Sequence, residues 1–257
     1  MLLAVNANNT NMKFGVYDQG VERGSWRIAT DARRTGDEYM VWLTQLMEIA
    51  GLDPRALDDV AIASVVPAAM FELKALCRSL GVERPLVVGE AGVKLGTIPK
   101  VDRPEEVGAD RLLNTVAAHD RYGGPAVVVD LGTATTFDVV DGEGNYRGGA
   151  IAPGINLSIE ALRAAAALLP RTAIQRPARV IGTTTIACMQ SGIFWGYVGL
   201  VEGLIERIKA EFGQPMKVIA TGGLAPVFLG ATTVFEHVDD RLSMHGLVLI
   251  HQLNRTP

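Results

Sequence analysis

Cysteine is scarce in this chain, with two in 257 residues. Cys77 and Cys188 lie in apolar helical contexts and lack metal-ligand spacing, so the expectation is a pair of buried thiols in a reducing compartment. Excess positive charge is also missing: 24 Lys and Arg stand against 28 Asp and Glu, a net charge of -4. No basic footprint for nucleic acid remains, and the pair Arg33–Arg34 reads as a solvated face. Nor is there a long apolar run. The longest stretch, "GIFWGYVGLVEGLI", is broken by Glu202 and four glycines, too often for a membrane span. The chain start has no basic region and its apolar run stops at Asn6, so no secretory leader is expected and the cytoplasm is the expected location. What the chain does have is apolar content, 48%, ample for a core in one large domain or two smaller ones.

β-branched and aliphatic runs bounded by turn residues predict strands at 2–5, 13–17, 24–29, 60–65, 85–88, 126–129, 136–140, 146–150 and 217–220. Apolar spacing of three and four predicts helices at 35–50, 68–80, 109–122, 155–167, 185–212 and 243–253. Strands and helices alternate, but each half opens with consecutive strands joined by short turns, which implies α/β layers with partly antiparallel sheets. The Gly/Pro-rich "YGGPAV" at 122–127 is the best boundary, dividing the chain into 1–122 and 123–257. Over Met189–Ile208 the apolar residues cover too much of the circumference for a solvent-facing helix. Burial inside the monomer and burial in a dimer both account for that.

A faint internal repeat supports the division. "LLAVNANNTNMKFGVYDQGVERGSW" lies on "AVVVDLGTATTFDVVDGEGNYRGGA" without a gap, placing Asn6 on Asp130, Asn8 on Gly132 and Thr10 on Ala134. In the second turn, Asp130 ends a buried strand and can hold a cation at its tip. Gly132 lets backbone N–H groups point outward, and Thr133, Thr135 and Thr136 add hydroxyls, a set suited to a phosphate tail. Turn chemistry alone also explains such a sequence. A third apolar strand runs into "TGGLAP" at 221–226, where Gly222 and Gly223 would let a flat ring such as adenine approach the backbone; a plain strand-to-helix turn is the alternative.

Two phosphate-type loops on duplicated halves, with a Gly-Gly loop after them, resemble the acetate and sugar kinase, Hsp70 and actin superfamily. More closely, "EVGADR" at 106–111, "VVDLGTATTFDVV" at 128–140, "GGAIAPGINLSIEAL" at 148–162, "LPRT" at 169–172, "MQSGIFWGYVGLVEGL" at 189–204 and "TGGLA" at 221–225 resemble type III pantothenate kinases, in order and across nearly the whole chain. The resemblance implies two duplicated ribonuclease-H-like domains with mixed sheets and an interdomain cleft, and a homodimer. It implies ATP-dependent phosphorylation of pantothenate, with Mg²⁺ and a monovalent cation, K⁺ or NH₄⁺. Asp110, which composition alone would make a helix cap, becomes the proton acceptor for the substrate hydroxyl. Arg111 binds the substrate carboxylate with its planar fork. Gly108 and Ala109 belong to the substrate loop, Thr185 reaches the substrate, Asp130 holds the monovalent cation, Thr133 contacts ATP, and Gly222 and Gly223 serve adenosine.

The first loop departs from the family. It falls to Asn6, Ala7, Asn8, Asn9, Thr10, Asn11, Met12 and Lys13 to hold the nucleotide, but Asn6 and Asn8 stand where the family writes Asp and Gly. Asn6 keeps an oxygen and loses the charge that a hard divalent cation prefers. Asn8 tolerates left-handed geometry but fills space where phosphate approaches. Val101 replaces a tyrosine common among relatives and still supplies apolar wall. These departures leave three readings: a pantothenate kinase with an altered nucleotide mode, an impaired or non-catalytic relative with a binding or regulatory role, and a kinase for another small alcohol.

Overall fold

The computed structural model describes residues 1–165 and 174–255; the motif "LPRT" and the last two residues of the helix expected at 155–167 lie outside them. In chain order the elements are β1 (Leu2–Ala7), β2 (Asn11–Asp18), β3 (Val21–Ala29), α1 (Gly36–Ile49), β4 (Asp59–Ser64), α2 (Met70–Ser79), β5 (Leu86–Val87) and α3 (Ala109–Tyr122). There follow β6 (Ala126–Leu131), β7 (Ala134–Val140), β8 (Tyr146–Pro153), α4 (Ile155–Ala165), α5 (Thr185–Phe212), β9 (Lys217–Thr221), β10 (His237–Val238) and α6 (Leu242–Asn254). Among the described residues, no helix is long and apolar enough to cross a membrane.

The chain forms two compact units. The first comprises Met1–Ile98, Asp102–Ala117 and Leu242–Pro257, and the second Pro99–Val101 and Ala118–Arg241. These units differ from a single cut after residue 122. The division falls inside α3, and the last helix returns to the first unit because its apolar residues pack on β1 and β4.

Each unit carries one five-stranded mixed sheet, ordered β3-β2-β1-β4-β5 in the first and β8-β7-β6-β9-β10 in the second. In both, a three-strand antiparallel meander is extended by two parallel strands added beside its first strand. The repeat in the sequence is therefore a repeat of the ribonuclease-H-like fold. The register corrects one detail. Asn6 pairs with Lys13 and Ala7 with Met12, whereas Asp130 pairs with Thr136 and Leu131 with Thr135. The second turn is one residue shorter, so Asn6 still matches Asp130 but Asn11, not Thr10, matches Ala134.

Alternation along β1 separates two cores in the first unit. Leu3, Val5 and Ala7 face Tyr39, Leu43, Leu73 and Leu76 of α1 and α2. Leu2 and Ala4, with Ala61 and Ala63 of β4, face Ala109 and Leu113 of α3 and Met244, Leu247 and Val248 of α6. Alanines on this second face let the helices sit close to the sheet. In the second unit, Val127, Val129 and Leu131 pack beneath Phe194, Tyr197, Val201 and Ile205 of α5. Much of the apolar excess of Met189–Ile208 is thus satisfied within the chain. Cys77 is buried, and burial pushes its thiol up to about 11. Cys188 is exposed, contrary to expectation, because its position on α5 lies away from this core. Arg33 is exposed as expected, but the Arg34 guanidinium lies 5.7 Å from the centre of the Tyr39 ring.

Candidate active site

In the first unit the turn after β1 is tied from behind. Thr30 donates its hydroxyl to the Asn8 carbonyl at 2.6 Å and its N–H to the Thr10 carbonyl at 3.0 Å. The Asn8 N–H bonds the Asn11 carbonyl at 3.0 Å, closing the turn, while Asn9 and Thr10 are exposed at its tip. Asn8 has no left-handed backbone; Gln19 is the one non-glycine with positive φ among the described residues. The glycine of the family pattern is therefore not needed for chain geometry here, and what Asn8 changes is bulk. Asn6 is 4% exposed. It lies directly across the ladder from Lys13, so the two side chains share the sheet face covered by α3 and α6.

The start of α3 stands on that same face. Val65, just past β4, donates its N–H to the Ala7 carbonyl at 3.0 Å, and its Cγ1 lies 3.5 Å from where a Cβ on Gly108 would sit. The structure thus brings the first turn and the Gly108–Arg111 motif together. Gly108, not Asp110, caps the helix: its carbonyl accepts from the N–H groups of Arg111 and Leu112. The Asp110 carboxylate accepts the Arg111 N–H at 2.9 Å. Burial raises its pKa from the usual 3.8, and the Arg111 N–H and guanidinium offset only part of that rise. A carboxylate so placed is a stronger proton acceptor than one in water. Ala109 is buried beneath it, and Arg111 is half-buried beside it.

In the second unit, glycines hold the turn after β6. A Cβ on Gly154 would lie 2.2 Å from the Thr133 carbonyl oxygen and 2.5 Å from that of Gly132. Gly222, at φ +91°, would put a Cβ 2.4 Å from Asp130 Oδ1. Its missing side chain therefore accommodates the protein itself rather than a ring; Gly223, next to it, is exposed. Gly132 is the opposite case. Its φ is not positive, and the nearest atoms to an added Cβ are at 3.5 Å, ordinary contact, so the space it leaves opens outward. Of the three threonines, Thr135 is buried in a hydrogen bond with the Tyr197 hydroxyl, and Thr136 donates to Asp138 Oδ2 at 2.9 Å. Thr133 alone of the three is exposed at the tip.

Thr185 opens α5 and is exposed. α5 reaches the second turn through a different residue, Tyr197. Val101 belongs to the second unit, where its Cγ1 is 3.6 Å from the Cβ position of Gly148 on β8. Thr30, Val65, Gly154 and Tyr197 are supports that motif reading did not single out; Gly154 and Tyr197 carried a signal, lying within "GGAIAPGINLSIEAL" and "MQSGIFWGYVGLVEGL".

Among the described residues, no three His, Cys, Asp or Glu side chains cluster to hold a metal. Asp130 supplies one carboxylate at the second turn, the donor expected for a hard cation shared with phosphate oxygens. The first turn offers the amide oxygens of Asn6 and Asn8, a neutral and weaker set.

Solved structures share this architecture. A Campylobacter jejuni protein assigned to the Baf family of transcriptional activators matches with TM-score 0.62 at 17% identity, over 98% of each chain. A ROK hexokinase from Thermus thermophilus matches with TM-score 0.52 at 12% identity, again over 98% of each. The duplicated ribonuclease-H-like fold, with one mixed five-stranded sheet in each unit, is the fold that these structures share. Within it, residues 2–207 match the family model for type III pantothenate kinase. A type III pantothenate kinase from Paramagnetospirillum magneticum is 61% identical over 257 residues, covering 100% of this chain and 99% of the relative. The chain belongs to the type III pantothenate kinase family and is a kinase. Nothing in these relatives favours the non-catalytic alternative.

Gly154→Ala tests the support of the second turn. The added methyl must displace the Gly132–Thr133 carbonyls, so ATP affinity should fall by at least about tenfold, while a single cooperative unfolding transition is retained. Unchanged ATP binding by calorimetry would show that this turn does not meet the nucleotide.

Proposed function

We propose that this protein transfers the γ-phosphoryl group of ATP to the hydroxyl of pantothenate, giving 4'-phosphopantothenate and ADP, the first step towards coenzyme A. The observation that carries the reading is the placement of Gly108–Arg111: a desolvated carboxylate and a guanidinium sit on the sheet face that also bears the first turn. Asp110 accepts the hydroxyl proton as that oxygen bonds the γ-phosphorus and the bond to the bridging oxygen breaks, leaving ADP. Arg111 binds the pantothenate carboxylate, with Gly108, Ala109, Val101 and Thr185 along the substrate. Backbone N–H groups of the first turn, with Thr10 and Thr133, hold phosphates, and the exposed Gly223 borders the adenosine. Asp130 takes the monovalent cation, K⁺ or NH₄⁺. A divalent ion bound with ATP would supply charge neutralisation, and Asn6 would offer it an amide oxygen in place of a carboxylate. The protein acts in the cytoplasm.

Asp110→Asn should lower kcat by about two orders of magnitude or more without loss of ATP binding. In the native protein the acidic limb of kcat against pH should fall above 3.8, because the ionised carboxylate is the active form and its pKa is raised. Near-normal turnover in the variant removes Asp110 from the chemistry.

The first loop makes a second prediction. Asn6→Asp with Asn8→Gly restores charge and removes bulk at one ligand. It should tighten Mg²⁺-dependent ATP binding by about one to two orders of magnitude, more than either change alone. The single Asn6→Asp should gain less, because the Asn8 side chain still fills the space where phosphate approaches. Equal turnover in native protein and double variant would mean that the carboxylate is dispensable.

We also propose a homodimer. On α5, Gly192, Gly196 and Gly199 are exposed on one face, and Ile186 with Val180 and Ile181 extends an apolar surface in the same unit. Sedimentation equilibrium should give twice the 27.4 kDa chain mass; a monomer at all concentrations refutes it.

A further inference from the structure

Helix α6 lies beyond residue 207, where the family-model match ends, yet it grips the helix that carries Asp110 at two places. Ser243, in the first turn of α6, donates its hydroxyl to Asn114 Oδ1 at 2.7 Å. Asn114 is buried and follows Asp110 by one helical turn, so the two residues share a face of α3. At Gly246, the next turn of α6, a Cβ would lie 2.1 Å from the Leu113 carbonyl oxygen and 2.9 Å from its Cα. The backbone of α6 therefore rests directly on the backbone of α3. Ala109 and Leu113 of α3 lie with Met244, Leu247 and Val248 of α6 over Ala4, Ala61 and Ala63 of the sheet.

Apolar packing alone would let α3 slide or rotate by small amounts at little cost. A hydroxyl–amide bond to a buried side chain does not, since displacement takes from the desolvated Asn114 Oδ1 the hydroxyl that it accepts. The glycine acts in the same sense: only one register lets Leu113 enter the gap at position 246. Both contacts fall within about one turn of Asp110.

We propose that Ser243 and Gly246 are positioning residues that fix the register of α3 and thereby set the place of the Asp110 carboxylate. This rests on Asp110 being the base, and the test separates the two ideas. In the full-length chain, Ser243→Ala should lower kcat by roughly three- to tenfold, the scale of one ordinary hydrogen bond, with KM for ATP unchanged. Its acidic limb should move to lower pH, because a loosened α3 start admits water to a carboxyl that burial had raised. Ser243→Thr, which keeps the hydroxyl, should restore both. The carbon-13 carboxyl titration of Asp110, assigned with Asp110→Asn, reads the same shift without turnover. An Asp110 titration unmoved in Ser243→Ala overturns the clamp, whatever happens to stability or kcat. Near-normal turnover in Asp110→Asn overturns the base assignment instead, and the carboxyl titration then decides the clamp alone.

Discussion

Both halves hang on a central strand buried on its two faces and hydrogen-bonded along its two edges. β1 and β6 are each flanked by an antiparallel partner and a parallel one. Their interiors must be apolar, as "LLAV" and "AVVV" are, and a polar side chain is admitted only where the strand ends. Asn6 and Asp130 stand at that point. The turns that follow are the first places where backbone N–H groups escape the ladder, which is why a strand so confined delivers polar groups to one spot. The supports found around each turn, Thr30 and Val65 in one unit and Gly154 and Gly222 in the other, serve that constraint.

The two turns are no longer chemically equivalent. The pair across the ladder is Asn6 and Lys13 in the first and Asp130 and Thr136 in the second. One presents a neutral amide beside an ammonium, the other a carboxylate beside a hydroxyl. A duplicated frame thus offers opposite charge at corresponding positions. Polyanionic phosphate suits the first character and a bound cation the second.

Most of the fold was legible because its signals are local. β-Branched and aliphatic runs between turn residues marked nine of the ten strands among the described residues, and apolar spacing marked all six helices there. β10 was missed because two exposed residues, His237 and Val238, carry no periodicity. The one-residue difference between the turns was invisible because both loops are short runs of small or polar residues, and only the ladder register separates Thr10 from Asn11. The division after Tyr122 did not anticipate that α6 packs back on β1, a contact between distant segments that no window of sequence contains. At the site, residue types were read correctly but their employment was not. Thr135 and Thr136 look like phosphate donors until Tyr197 and Asp138 are seen to engage them. Gly222 looks like a platform for a ring until Asp130 is found in its space.

The return of α6 to the first unit has a consequence for biosynthesis. The face formed by Leu2, Ala4, Ala61 and Ala63 is complete only when Met244, Leu247 and Val248 arrive, after the entire second unit has been made. At roughly 5–20 residues per second of synthesis, that face waits on the order of ten seconds. During that interval only α3 is available to cover this face, while β6 to β10 are made and pair with one another without α6. The unit encoded first is therefore the one completed last, and the ribosome-bound chain is the form of this protein most open to chaperones and to misassociation.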